Sequence, residues 1–212
     1  MIAAVKTWGK NDVFQIDFSF NVLDATGGTP TNFPDGEETD NGVAVPVPAK
    51  GYVEGDHAYP DCPEGDDCHM LIVDRTNSRL FELYQVRKTG ATWHGELSLW
   101  KLDKAYPRSN RGQGCTSADA AGMAITPGLI GYRETKKGEI RHALRFIIQN
   151  DYIRGQAGNK TVPNNVYPAR HGSTAGNSAT GVPYGARLRL KTAIPDTDPR
   201  LKSPGAKAVA KA

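Results

Sequence analysis

The stretch His69-Met-Leu-Ile-Val-Asp74-Arg-Thr-Asn-Ser-Arg79-Leu-Phe-Glu82-Leu-Tyr-Gln-Val-Arg87 decides how the chain folds. Two runs rich in aliphatic, β-branched and aromatic residues flank a polar turn at Arg75–Arg79. That pattern predicts a pair of antiparallel strands. A third strand is predicted at Trp93–Leu102, after the turn Lys88-Thr-Gly90. Three consecutive strands with short links form a β-meander, the natural centre of an antiparallel sheet. Period-two alternation places Leu80, Glu82, Tyr84 and Val86 on one face. Glu82 is therefore either an exposed charge or a carboxylate set among apolar neighbours.

Working outward, residues 11–24 alternate cleanly: Phe14, Ile16, Phe18, Phe20 and Val22 share one face, and Asp17 looks away from it. Val43-Ala-Val-Pro-Val-Pro48 carries two prolines, which confines it to an edge strand or an extended polyproline-like segment. Glu139–Gln149 alternates strongly enough to predict another strand, with His142 on its more apolar face. Tyr184–Lys191, where arginines alternate with leucines, reads as a final edge strand. Residues 103–138 form a long irregular stretch whose specific composition predicts an ordered loop, with a short helix at Ser117–Ala121 and a polar turn at Tyr132–Gly138. Ser203-Pro-Gly opens like an N-capped helix, and Lys202–Ala212 is expected either to be disordered or to pack against a missing segment. The expected fold is mainly β: a two-sheet antiparallel sandwich, jelly-roll or concanavalin-like, with long loops and little helix. Residues 1–194 are expected to form one domain, and 195–212 a linker or truncated helical tail.

Composition sets bounds on function. With 212 residues the chain can bury a real core, while 23 Gly and 14 Pro favour turns over helices. A net charge of +3, with no basic run before the tail, gives no electrostatic case for nucleic acid. No apolar run approaches a membrane span. Cys62 and Cys68 bracket a short acidic Pro/Gly loop, where a disulfide closes easily, and a bridge there points to an extracellular or periplasmic location. Cys115 is left single, as a small buried hydrophobe or a thiol nucleophile. Asp61, Glu64, Asp66 and Asp67 have the chemistry for a structural Ca²⁺, but their spacing fits no EF-hand, so a solvated acidic loop is expected. No other cofactor or metal is expected. Asn159-Lys-Thr is a formal glycosylation sequon.

No nucleotide loop, nucleophile elbow or zinc helix is present. What remains is a set of polar residues on strands and in long loops. Glycoside hydrolysis needs two facing carboxylates. Glu82 is the candidate acid or nucleophile, with Asp119 or Asp17 as its partner and His142 and Arg145 near the reacting sugar. A polysaccharide lyase needs a cation to neutralise a uronate and a Tyr or His base; Arg145, His142, His171 and Tyr167 supply those types. Tyr84, Asp74, Tyr167 and His171 are the candidate substrate-binding residues. Each has a structural counterpart: Asp119 as a local cap, His142 as a hydrogen-bonded core residue. The expectation is a polysaccharide hydrolase or lyase, the alternative a non-catalytic glycan-binding or surface-interaction domain. Trp93 and Trp100 fall on opposite faces, so they cannot form one flat sugar platform.

Several phrases are distinctive: Trp8–Leu23, Cys68-His-Met-Leu-Ile-Val-Asp-Arg75, Leu80-Phe-Glu-Leu-Tyr84, Cys115-Thr-Ser-Ala-Asp-Ala-Ala-Gly122, Gly138–Phe146 and Val182–Leu190. Together they resemble a group of uncharacterised secreted bacterial proteins across most of the chain. The resemblance implies an ordered secreted domain, and a group sequence that continues past the equivalent of Ala212 into a further helix and strand. It implies no activity. The group's phrases include Asp17, Asp74, Glu82, Asp119, His142 and Arg145, whereas the segment around His171 departs more from them.

Overall fold

The computed structural model describes residues 20–35, 40, 42–56, 62, 68–155, 164–173, 176 and 178–212. Asp17, the strand expected before residue 20, the acidic residues Asp61–Asp67 and Asn159 lie outside them. The chain forms two compact units, Met1–Ala124 with Ile147–Ala186, and Ile125–Phe146 with Arg187–Ala212.

The first unit is built on strands β1 (Val22–Asp24), β2 (Thr29–Thr31), β3 (Val45–Val47), β4 (His69–Asp74), β5 (Arg79–Thr89) and β6 (Thr92–Lys101). They make a four-stranded sheet in the order β1-β4-β5-β6 and a two-stranded sheet of β2 and β3. The protein is mainly β, with the meander at its centre as the sequence predicts. Its first turn is held by Asp74, whose carboxylate accepts the Asn77 backbone N–H at 3.0 Å and side-chain amide at 2.7 Å.

Two features depart from the expected antiparallel sandwich. β1 runs parallel to β4, Val22 opposite Leu71, so the larger sheet is mixed. The long excursion between β1 and β4 supplies the crossover that parallel pairing requires. Within β5 the register shifts between Tyr84 and Arg87, with Gln85 at φ 52°. This bulge inserts one residue and reverses the facing of all that follows. Val86 therefore joins Phe81 and Leu83 on the apolar face instead of Glu82 and Tyr84.

That apolar face carries Met70, Ile72, Phe81, Leu83, Val86 and Leu97, and Val45 and Val47 of β3 belong to the same buried cluster. Pro30 and Pro46 face each other across β2 and β3. Neither can donate, so theirs is the pair that exchanges no N–H···O bonds. A side chain at Gly28 would meet the Pro46 carbonyl oxygen at 2.4 Å, which explains the glycine. Cys62 and Cys68 form the expected disulfide, with Cα atoms 5.8 Å apart. The outer edge of β6 is covered by Asp40, which bonds the Leu97 carbonyl and the Leu99 N–H and pairs with Arg111 at 3.0 Å.

Four local expectations are corrected beyond the meander. Tyr132–Lys137 is a helix, α1, rather than a turn. Glu134 accepts the Gly131 N–H at 2.9 Å, and Gly138 closes the helix in the left-handed conformation. Neither Glu139–Gln149 nor Tyr184–Lys191 forms a strand; Tyr184 makes an isolated bridge to Asn165, and Arg187–Lys191 are all exposed. Alternation there is not matched by a partner strand among the described residues. The tail is ordered: Pro204–Lys211 forms α2, capped by Ser203 Oγ accepting from Ala206 N at 3.1 Å. α2 packs against α1 and buries Ala208. No helix among the described residues is long and apolar enough to cross a membrane.

Candidate functional site

The face of the meander opposite the apolar cluster carries His69 and Leu71 on β4, Leu80, Glu82 and Tyr84 on β5, and Ser98 and Trp100 on β6. Glu82 is 0% exposed, and its carboxylate accepts the Trp100 indole N–H at 3.1 Å. Trp100 packs edge-on to Tyr106 and beneath the Arg111 guanidinium, 5.3 Å from each. His69, opposite Tyr84 in register, bonds through Nδ1 to the Glu54 carboxylate and through Nε2 to the Ala118 carbonyl at 2.8 Å. A carbonyl only accepts, so Nε2 carries a proton, and Nδ1 shares one with Glu54. A carboxylate-oriented imidazole is the arrangement used in general-base catalysis. Here its outer nitrogen is occupied by the backbone of Ala118, so the dyad clamps the loop.

A second bond completes the clamp: Ala118 N–H donates to Ser98 Oγ at 3.1 Å, and Ser98 sits opposite Glu82. The loop carrying Asp119 is thereby pinned over the face carrying Glu82. The expected helix at Ser117–Ala121 does not form. Ser117 Oγ accepts the Asp119 N–H, as a cap would, but it donates to the carbonyls of Asp119 and Met123. The Ala121 carbonyl accepts from Arg170 and His171 instead of from its own chain four residues on.

Those bonds tie the loop to a second segment, 164–173. Gly114 N–H donates to the Arg170 carbonyl at 2.9 Å, and His171 Nδ1–H donates to the Ala120 carbonyl at 2.9 Å. Gly122 lies at the crossing with φ +68°, and a side chain there would meet the Cys115 carbonyl at 2.5 Å and His171 Cβ at 3.4 Å. Only glycine allows the two segments this close.

The junction opens onto a cationic surface. Tyr167 is 52% exposed, and the guanidiniums of Arg108 and Arg170 lie 4.4 and 5.1 Å from its ring centroid. Each distance is within cation–π range. Arg170 is oriented further by bonds to Gln113 Oε1 at 3.2 Å and to the Arg108 carbonyl. Among the described residues no carboxylate pairs with either arginine. His171, with Nδ1–H committed to Ala120, presents Nε2 as an acceptor that no described residue engages. Cys115, expected either as a buried hydrophobe or as a thiol, is free and exposed in the same loop.

The remaining sequence candidates separate. Asp74 is buried in its turn, and the Asn77 side-chain bond holds its carboxyl below the usual range. His142 and Arg145 belong to the other unit. His142 Nε2 lies 3.1 Å from Glu134, and Nδ1 lies 3.0 Å from the Ala143 carbonyl. The Ala143 bond, aided by Glu134, raises the imidazole pKa, while the Gly131 N–H, aided by His142, lowers that of Glu134. Arg145 N–H donates to the Gly128 carbonyl at 3.0 Å. Glu82 and Tyr84 thus lie beneath the loop that carries Asp119, His171 is bonded to that loop, and Tyr167 is on the exposed part of the segment beside it.

Sequence reasoning missed the Glu54–His69 clamp and both arginines. The available signal was Tyr167-Pro-Ala-Arg-His171 together with the two arginines Arg108 and Arg111 in the other long loop. Compared with protein-family models, curated proteins and solved structures, the chain matches none.

Proposed function

We propose that the protein is a secreted carbohydrate-active domain that engages an anionic polysaccharide through Arg108, Gln113, Tyr167 and Arg170. The observation that carries this reading is the pair of guanidiniums held on one exposed aromatic ring with no carboxylate from the described residues beside them. Guanidinium forks match carboxylate and sulfate geometry, and their orientation before binding lowers the entropy lost on association. The Gln113 amide and Tyr167 phenol add the hydroxyl-directed bonds that sugars need. A Cys62–Cys68 bridge is in keeping with an extracellular or periplasmic setting, where such polymers are met.

The finer fold reading goes with this proposal. β2 and β3 form the smaller layer of a two-sheet sandwich, with Val45 and Val47 on the apolar face of the larger sheet, and the site lies on the loops over the opposite face. Hydrolysis through Glu82 and Asp119 has less support, because the Glu82 carboxylate is sealed and bonded to Trp100.

Affinity electrophoresis in polygalacturonate, alginate and chondroitin sulfate gels, with xylan as the neutral control, tests the proposal. Retardation by the acidic polymers, weakened by salt and lost in Arg108→Ala/Arg170→Ala, is expected. Equal retardation by xylan, or binding indifferent to the double substitution, would overturn it.

A further inference from the structure

We infer that the same surface cleaves a uronate-containing chain by β-elimination, with His171 as the base. The inference rests on the anionic-polysaccharide reading and adds a reaction to it. Elimination requires two groups in one place: a cation that neutralises the uronate carboxylate, acidifying the C5 proton, and a base that removes that proton. Arg108 and Arg170 supply the first. The Arg108 guanidinium has no hydrogen-bond partner among the described residues, and Arg170 is held by Gln113 and the Arg108 carbonyl.

His171 follows Arg170 directly and supplies the second. Its tautomer is set by the backbone: Nδ1–H donates to the Ala120 carbonyl at 2.9 Å, which leaves the lone pair on Nε2. No described side chain competes for that lone pair. Contrast His69, where both nitrogens are occupied. Gly122, by lacking a side chain, lets the loop approach the His171 Cβ and backbone.

The step balances without a co-reactant. Nε2 takes the C5 proton, the C5–H electron pair becomes the C4=C5 bond, and the C4–O4 bond breaks. The imidazolium returns its proton to the departing O4 oxygen. The products are a chain with a new hydroxyl end and a chain ending in an unsaturated uronate, and His171 is neutral again. Tyr167 and its two arginines hold the carboxylate throughout, stabilising the charge that develops on it.

Incubating the full chain with polygalacturonate, alginate and chondroitin sulfate, and following the ultraviolet absorbance of the unsaturated uronate, tests the inference. The wild-type chain should generate that chromophore on at least one polymer it binds. His171→Asn keeps an N–H for Ala120 at the Nδ1 position but offers no base, so turnover should fall by about 100-fold or more while gel retardation is retained. Binding without chromophore would overturn elimination and leave the binding proposal standing. New reducing ends without chromophore would identify hydrolysis and overturn it equally. A His171→Asn variant as fast as wild type would remove His171 from the role. Absence of binding to every polymer would remove both proposals together. Product chemistry of the wild-type chain decides for or against elimination even if the variant fails to fold.

Discussion

The two faces of the meander solve different problems with the same three strands. On one face Phe81, Leu83, Met70 and Ile72 are sealed in an apolar cluster with β3. On the other, Glu82, His69 and Ser98 are equally buried, yet their neighbours are a tryptophan N–H, a carboxylate and the backbone of a loop. Apolar burial is non-directional and stabilises in proportion to area. Buried polar contacts contribute less net free energy but are directional, and they cost heavily when left unmade. The apolar face thus supplies stability, and the polar face fixes where the loop at residues 115–122 lies. Through that loop it fixes Arg170 and His171.

The largest expected effect probes the apolar side. Phe81→Ala, at a fully buried position, should destabilise by about 3–5 kcal/mol in denaturant unfolding. A loss below about 1 kcal/mol would mean that this face is not the stabilising one. On the polar side, Glu82→Leu leaves the Trp100 N–H without its acceptor and should cost about 2 kcal/mol, whereas Glu82→Gln preserves an acceptor and should cost clearly less. If the leucine variant is the more stable of the two, the polar layer is dispensable and the comparison fails. Replacing both Cys62 and Cys68 by serine should lower stability by about 2 kcal/mol, the chain entropy of so short a ring. Non-reducing mass spectrometry should find the two linked in the parent chain.

The smallest effect is a pH dependence confined to α1. The folded-state pKa of His142 is raised above its ordinary 6.5, so its contribution is complete below that value and is lost as pH rises through the folded pKa. Glu134 is lowered from 4.5, so its contribution is complete above 4.5 and is lost as pH falls through the folded pKa. Amide protection of Tyr132–Lys137 should therefore peak between pH 4.5 and 6.5. In His142→Gln the decline on the alkaline side should vanish, and persistence of that decline would assign it to another group.

Much of this architecture was legible from local chemistry. Alternation and turn residues located the meander, two prolines marked β3 as an edge, and a Ser-Pro opening marked α2. What escaped depends on pairing between distant segments. A glutamine carries no signature of the left-handed conformation, so the bulge at Gln85 and the reversal of Val86 were invisible. Parallel pairing of β1 with β4 is set by the long excursion between them, not by either strand's sequence. Residues 139–149 alternate as a strand does but pair with no strand among the described residues. Glu82 lies beneath the loop that carries Asp119, yet burial, which spacing does not report, turned Glu82 inward. Arg108 and Arg170 lie 62 residues apart, and only the loop bonds bring them to the same ring.

The most direct test of that surface is an NMR titration of the labelled chain with a short oligogalacturonate, followed at arginine side-chain N–H, tyrosine ring and histidine ring resonances. The account predicts saturable shifts concentrated on Arg108, Gln113, Tyr167, Arg170 and His171, with the Glu54-bound ring of His69 unmoved. Shifts concentrated instead on the exposed basic residues Arg133, Lys137 and Arg141 of the second unit, or no saturable shift at all, would contradict it.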